Sequence, residues 1–291
     1  MMEGDTLQRF VLERTNVRGE LVHLDATWRA VLERHDYPAP VRDLLGEAMA
    51  AAALLAATVK TDGSLIVQVQ SDGPVRLLVV QAEAGRTLRG MAQWKGEVPA
   101  GSLDRMVGHG RLAITLDPGL GRERYQGIVP LEGHRTLSAA LEDYFARSEQ
   151  LPTRLWLAAD GARTAGMLLQ ALPGAEPDPD AWERASHLGA TLTSGELLEL
   201  PSREILRRLF HEEDVRVFDP EPVSFRCGCS RQRIARVLRG LGYDEVRSIL
   251  DEQGAVESRC EFCNQRYVFD RVDVEELFAA ADQPDVPPTR H

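Results

Sequence analysis

Apolar and polar positions fall into three regimes along the chain. Up to about residue 174 they alternate in short runs, interrupted by stretches of helical spacing. Residues 7–16 read as a strand. Asp25 is placed to cap a helix running to Glu33, which the Tyr37-Pro38 pair stops. Pro40 opens the next helix, and the apolar run over 41–60 predicts a long, mostly buried one. Strands follow at 64–70, 75–81 and 87–94, joined by the turn Ser71-Asp72-Gly73-Pro74 and a turn at Gly85 into an antiparallel meander. Two more strands fit 110–116 and 125–129, with the glycine-rich turn Pro118-Gly119-Leu120-Gly121 between them. A helix covers 137–148, with Leu137, Ala140, Leu141, Tyr144 and Phe145 on one face, and 155–158 and 167–172 make a last strand pair. Helices beside a mainly antiparallel sheet predict an α+β core domain over 1–174.

The breaker Pro173-Gly174-Ala175-Glu176-Pro177-Asp178-Pro179 opens a different segment, 175–220, which is helical and polar. Leu192, Leu197, Leu198, Leu200, Ile205, Leu206, Leu209 and Phe210 form a thin apolar stripe at helical spacing. From Glu176 to Pro220 there are eleven Asp or Glu against five Arg, so this segment carries −6 of the chain's −11. Self-repulsion and a thin stripe predict a metastable linker that depends on packing against the core.

The third segment, 221–281, contains every cysteine of the chain. Ser230 is placed to cap a helix through Arg239, with Ile234, Val237 and Leu238 facing inward. A short helix begins at Asp244, a hairpin over 256–269 surrounds Cys260 and Cys263, and a last helix follows. The tail 282–291, DQPDVPPTRH, reads as disordered.

Composition narrows the function classes. With 43% apolar and 27% charged residues, this is an ordinary globular chain. A net charge of −11 argues against a general nucleic-acid binder. Lys60 and Lys95 are the only lysines, which reads as codon bias. The opening MMEGDTLQRF lacks the apolar core of a signal peptide. The apolar run 44–59 is shorter than the ~20 residues that span a bilayer, and Glu47 interrupts it. The expected address is the cytoplasm, with no membrane partner. Clustered thiols there bind metal more often than they form standing disulfides.

Cys227-Gly-Cys229 and Cys260-Glu-Phe-Cys263 lie 30 residues apart, and all four cysteines fall within 37 residues. Two such pairs brought together supply the four sulfurs of a closed zinc site, one ion per chain. Inert core thiols, two standing disulfides and a purely structural zinc module are the alternatives. A redox role gains weight because a disulfide across a single glycine would be strained, and strained disulfides are the labile kind. Arg226, Arg231, Arg233, Arg259 and Arg266 are expected to favour thiolate.

No GxxxxGK[ST], HExxH or GxSxG motif occurs, and no GxGxxG follows a strand, so no catalytic or nucleotide site is expected and the chain is not read as an enzyme. His35, His109, His134, His187 and His211 are scattered and read as capping, surface or core residues. The alternative class is a zinc-ribbon nucleic-acid-binding regulator, supported by the four arginines between Ser230 and Arg239. A thiol oxidoreductase using Cys260 and Cys263 lacks the βαβ context of such motifs.

The sequence resembles the 33 kDa chaperonin family, the redox-regulated heat-shock holdases of bacteria. The resemblance spans nearly the whole chain. It rests most on Phe225-Arg226-Cys227-Gly228-Cys229-Ser230-Arg231 with Cys260-Glu261-Phe262-Cys263-Asn264 and Tyr267-Val268-Phe269. Arg18-Gly19-Glu20, His35-Asp36-Tyr37-Pro38, Ser71-Asp72-Gly73-Pro74, Arg124-Tyr125-Gln126-Gly127, the run LEDYFARSEQLPTR over 141–154, and His211-Glu212-Glu213 add to it. The resemblance implies a reduced, zinc-bound form that is largely inactive. It implies that oxidation forms Cys227–Cys229 and Cys260–Cys263 disulfides, releases zinc and unfolds the C-terminal region and linker. Exposed apolar surface then binds unfolding client proteins without ATP under oxidative stress, often as a homodimer. The coupling is an order-to-disorder switch.

Overall fold

The computed structural model describes residues 4–59, 62–84, 86–119, 121–174 and 178–279. The expected turn at Gly85 and the tail 282–291 lie outside the described residues. The chain divides into two compact units, Met1–Arg226 and Cys227–His291.

In the first unit the elements run β1 (Thr6–Leu12), β2 (Val17–Leu24), α1 (Ala26–Leu32), α2 (Ala39–Thr58), β3 (Ser64–Ser71), β4 (Val75–Glu83), β5 (Thr87–Trp94) and α3 (Leu103–Val107). They continue with β6 (Gly110–Asp117), β7 (Tyr125–Pro130), α4 (Leu137–Tyr144) with a wider π turn at Phe145–Glu149, β8 (Thr153–Ala159) and β9 (Thr164–Ala171). Then come α5 (Ala181–Gly189), α6 (Ser194–Glu199), α7 (Ser202–Phe210), β10 (Val215–Val217), β11 (Glu221–Pro222) and β12 (Ser224–Phe225). One sheet has the order β10-β1-β2-β9-β8, with β11 also on β1; the other runs β12-β5-β4-β3-β6-β7. The β12–β5 pair is parallel, and the other pairs are antiparallel. The α+β reading therefore holds.

Helix α2 touches strands of both sheets and is buried over most of its length. Its nearly all-apolar sequence follows from that position, since a helix enclosed on all sides has no polar face. Close approach needs glycine on the strands: a Cβ at Gly90 would stand 2.6 Å from Met49 Sδ, and one at Gly166 would stand 2.8 Å from Leu54 Cδ1. Leu45, Met49, Leu54, Val67, Val80 and Leu168 share this core.

The other face of the first sheet carries a second core. Phe10, Leu12, Val17, Leu21, Ala158, Ala165, Met167 and Leu169 pack with Ala181, Ala185, Leu197, Ile205, Leu206, Leu209 and Phe210 of α5–α7. The acidic segment thus spends its thin stripe on the sheet.

The strand expected over 7–16 ends at Leu12, and a second strand, β2, follows that the sequence pattern did not show. It is buried on both faces and contains Glu20 and His23, so it lacks the alternation that marks a half-buried strand. Asp25 does not cap α1 through its side chain. The Asp5 carboxylate does that work, accepting from the Asp25 amide at 2.6 Å and the Thr27 amide at 2.9 Å.

The contact boundary falls between Arg226 and Cys227, and residues 221–226 pair with β1 and β5. Among the described residues, no helix is long and apolar enough to cross a membrane.

Candidate metal centre

The second unit contains α8 (Arg231–Leu241), α9 (Tyr243–Gln253), the hairpin β13 (Val256–Arg259) and β14 (Arg266–Phe269), and α10 (Arg271–Ala279). Its core is small: Leu238, Val246, Leu250, Val256, Phe269, Val274 and Leu277. Ser230 caps α8 as expected, its Oγ accepting from the Arg233 amide at 3.2 Å. Val237, expected inside, is 62% exposed, because α8 presents a narrower apolar face of Ile234 and Leu238.

Local geometry aims the thiols. Arg233 reaches back from α8 and donates to the Gly228 carbonyl at 2.7 Å, pinning the Cys227-Gly-Cys229 turn. At the hairpin tip the Asn264 amide donates to the Cys260 carbonyl at 2.8 Å, and the Cys260 amide donates to the Gln265 carbonyl at 3.0 Å. Asn264 takes the left-handed conformation, φ 57°, that this tight return requires.

All four predicted sulfurs come together within 4.8 Å of one another. Cys227 Sγ stands 3.6 Å from Cys260 Sγ, and Cys229 Sγ stands 3.3 Å from Cys263 Sγ. Four sulfurs each ~2.3 Å from one zinc ion stand roughly 3.8 Å apart at tetrahedral corners, so the cluster matches such a site. Among the described residues this is the one group of three or more His, Cys, Asp or Glu near enough to hold a metal. The spacing leaves the choice of disulfide partners open, since sulfurs of the two motifs are as near as any pairing needs.

Burial pushes the Cys227 thiol up, but hydrogen bonds from the Cys229 backbone amide and from neighbouring thiols outweigh it and bring Cys227 down to about 7. Burial raises Cys260 and Cys263. One thiol therefore ionises readily beside others that hold their protons, the behaviour of a compact cluster sharing charge. The Tyr267 hydroxyl donates to Cys229 Sγ at 3.2 Å, and that bond raises Tyr267 to about 12.

The expected help from arginines takes another form. Arg231 pairs with Asp273 at 2.7 Å and lies over the Phe269 ring; Arg233 holds Gly228; Arg266 pairs with Glu257. These cations build the unit, while amides and neighbouring thiols set the sulfur ionisation.

The family model described as Hsp33 protein matches residues 5–270. The 33 kDa chaperonin of Nitrosococcus oceani is 56% identical over 291 residues, covering all of both chains. The chain belongs to the Hsp33 family. The 33 kDa chaperonin of Methylobacillus flagellatus is 49% identical over 282 residues, 96% of each chain. The crystal structure of the 33 kDa chaperonin (heat shock protein 33 homolog) of Thermotoga maritima superposes with a TM-score of 0.82, covering 96% of this chain and 99% of that one at 24% identity. That likeness supports the Hsp33 fold. Hsp33 relatives carry a chaperonin's name and not an enzyme's, and the function of this chain is accordingly that of a heat-shock chaperonin.

Proposed function

We propose that this chain is a redox-regulated, ATP-independent holdase of the cytoplasm. In its reduced state Cys227, Cys229, Cys260 and Cys263 would hold one zinc ion. Zinc would supply a four-way cross-link that the small apolar core of residues 227–279 lacks. The observation that carries the reading is the convergence of four sulfurs within 4.8 Å on so small a unit.

Oxidation by a peroxide takes two electrons from a pair of thiolates for each disulfide formed, and the peroxide takes up two protons from water as it is reduced to two water molecules. Two such events give Cys227–Cys229 and Cys260–Cys263, the pairing the family resemblance implies, and leave no thiolate ligand. The second unit then loses its cross-link, and the acidic α5–α7 segment lifts from the first sheet. The face so bared holds Phe10, Leu12, Val17, Leu21, Met167 and Leu169, a broad apolar surface suited to unfolding client proteins. A homodimer of the oxidised form belongs to the same reading. Three of the four arginines behind the nucleic-acid reading are engaged within the unit: Arg231 with Asp273, Arg233 with the Gly228 carbonyl and Arg239 with the Leu277 carbonyl.

Metal analysis of reduced protein, before and after peroxide, tests the switch alongside a light-scattering assay on a heat-denatured enzyme without nucleotide. The expected result is one zinc per chain before and none after, with aggregation suppressed by the oxidised form only. Zinc retained beside two disulfides, or equal suppression in both states, refutes it.

A further inference from the structure

Tyr267 sits on β14, opposite Ser258 on β13, so it belongs to the hairpin that carries Cys260 and Cys263. Its hydroxyl nevertheless reaches a sulfur of the other motif, donating to Cys229 Sγ at 3.2 Å. The ring is partly buried and packs against the small apolar core of the unit, so the hydroxyl is delivered by a side chain held through its apolar body. One residue thus joins the two halves of the sulfur cluster by a bond that involves no metal.

We infer that Tyr267 is a positioning residue that orients the Cys229 sulfur and lowers its reactivity toward oxidants. The inference rests on the metal–thiolate reading above. A hydrogen bond donated to a thiolate occupies a lone pair and withdraws electron density from sulfur. The reaction it restrains is attack of the Cys229 sulfur on one peroxide oxygen. The O–O bond breaks, leaving a sulfenic acid on Cys229 and a hydroxide that takes up a proton. A second cysteine thiolate then forms the S–S bond and displaces the sulfenic oxygen as water. Both steps need the lone pair or the approach line that the hydroxyl occupies. Partners of this kind around metal ligands commonly contribute about 10- to 100-fold to metal affinity.

Tyr267→Phe in the full chain deletes the hydroxyl and keeps the ring. Tyr243→Phe is the control, deleting a hydroxyl that donates to Glu275 at 2.8 Å in the same unit. Zinc affinity is read by competition with a chromogenic chelator. The modification rate of each cysteine in the zinc-loaded, reduced protein is read by peroxide quench and mass spectrometry. Tyr267→Phe is expected to weaken zinc binding about tenfold and to accelerate oxidation more at Cys229 than at Cys260, with the melting temperature nearly unchanged. Tyr243→Phe is expected to change neither reading. Wild-type behaviour of Tyr267→Phe at all four cysteines overturns the inference, as does equal acceleration at all four with a lowered melting temperature. A reduced wild type without zinc overturns the underlying reading and the inference together.

Discussion

Phe210→Ala isolates the attachment of the linker from the chemistry of the thiols. Phe210 lies in the last turn of α7, is 1% exposed, and its ring centroid is 5.9 Å from that of Phe10 on β1. Removing the ring forfeits about 2–3 kcal/mol of burial. The cavity left against Phe10 brings the expected loss to about 3–5 kcal/mol. Every 1.4 kcal/mol is tenfold in an equilibrium, so undocking of α5–α7 becomes roughly 100-fold more populated or better. The loss falls on a segment already burdened by net negative charge, and the first core around α2 uses none of these side chains. Native-state hydrogen exchange on the reduced, metal-loaded protein is the assay. Amides of α5–α7 should lose protection by about that factor while β3, β4 and β6 keep theirs. The same sample should suppress aggregation without oxidant. Uniform loss of protection across the first unit would show that the linker is no separate cooperative element. Selective opening without chaperone activity would refute the claim that the covered sheet face receives clients.

Glu20→Gln should stabilise the protein at alkaline pH. Glu20 is 2% exposed, its Oε2 has no hydrogen-bond partner among the described residues, and burial raises its pKa to about 7 against the pull of Arg18, Arg86 and Arg9. Below about 4.5 the carboxyl is protonated folded or unfolded and costs nothing; stability falls as pH rises toward 7, and above that the cost is complete, at most about 3 kcal/mol. Urea melts at pH 8 and pH 4.5 should therefore show a gain of on the order of 2 kcal/mol for the variant at the higher pH and almost none at the lower; a pH-independent difference would refute it. Thr193→Ala should loosen α6 alone. Thr193 Oγ1 accepts from the Glu196 amide at 3.2 Å while the Glu196 carboxylate accepts from the Thr193 amide at 3.0 Å, a reciprocal cap whose loss costs about 1 kcal/mol. Exchange of the α6 amides should quicken about fivefold; unchanged exchange there would show that the cap carries no stability.

The sequence disclosed what has period and punctuation. The meander of β3, β4 and β5, the Pro-initiated α2, the Ser230 cap and the two short cysteine motifs all rest on local rules of spacing or turn chemistry. What escaped it was decided by tertiary surroundings. Strand β2 hid because a strand buried on both faces shows no alternation, and its buried Glu20 looks like a surface residue. The cap of α1 hid because Asp5 comes from twenty residues upstream, beyond any local pattern. At the thiols, residue types and spacing were enough to assemble the cluster. They did not show which neighbour touches which sulfur: five arginines looked like the modulators, whereas a tyrosine hydroxyl holds Cys229. Nearby charge in a sequence is a poor guide to contact, because a guanidinium goes to the carbonyl or carboxylate the fold presents, as Arg231, Arg233 and Arg266 do here.

In the proposed switch a change at Cys227 reaches α7 by way of residues 211–226, and that stretch is far from slack. The Phe218 amide donates to the Arg9 carbonyl, the Val223 amide to the Asp5 carbonyl, the Ser224 amide to the Arg86 carbonyl and the Arg226 amide to the Leu88 carbonyl, all within 3.1 Å. Glu221 is gripped by Arg9 at 2.5 Å and Arg86 at 2.7 Å. A strip laid along sheet edges in this way resists peeling one residue at a time, so melting of the second unit would stop at Arg226 if the linker behind it were strongly held. Propagation therefore requires α5–α7 to lie close to their own stability limit before any oxidant arrives. In the proposed switch the excess of acidic side chains between Glu176 and Pro220, eleven against five Arg, would keep them there, opposing an apolar attachment that would otherwise be permanent. Neutralising that excess charge should lock the linker down and leave the thiols free to oxidise without effect on chaperone activity.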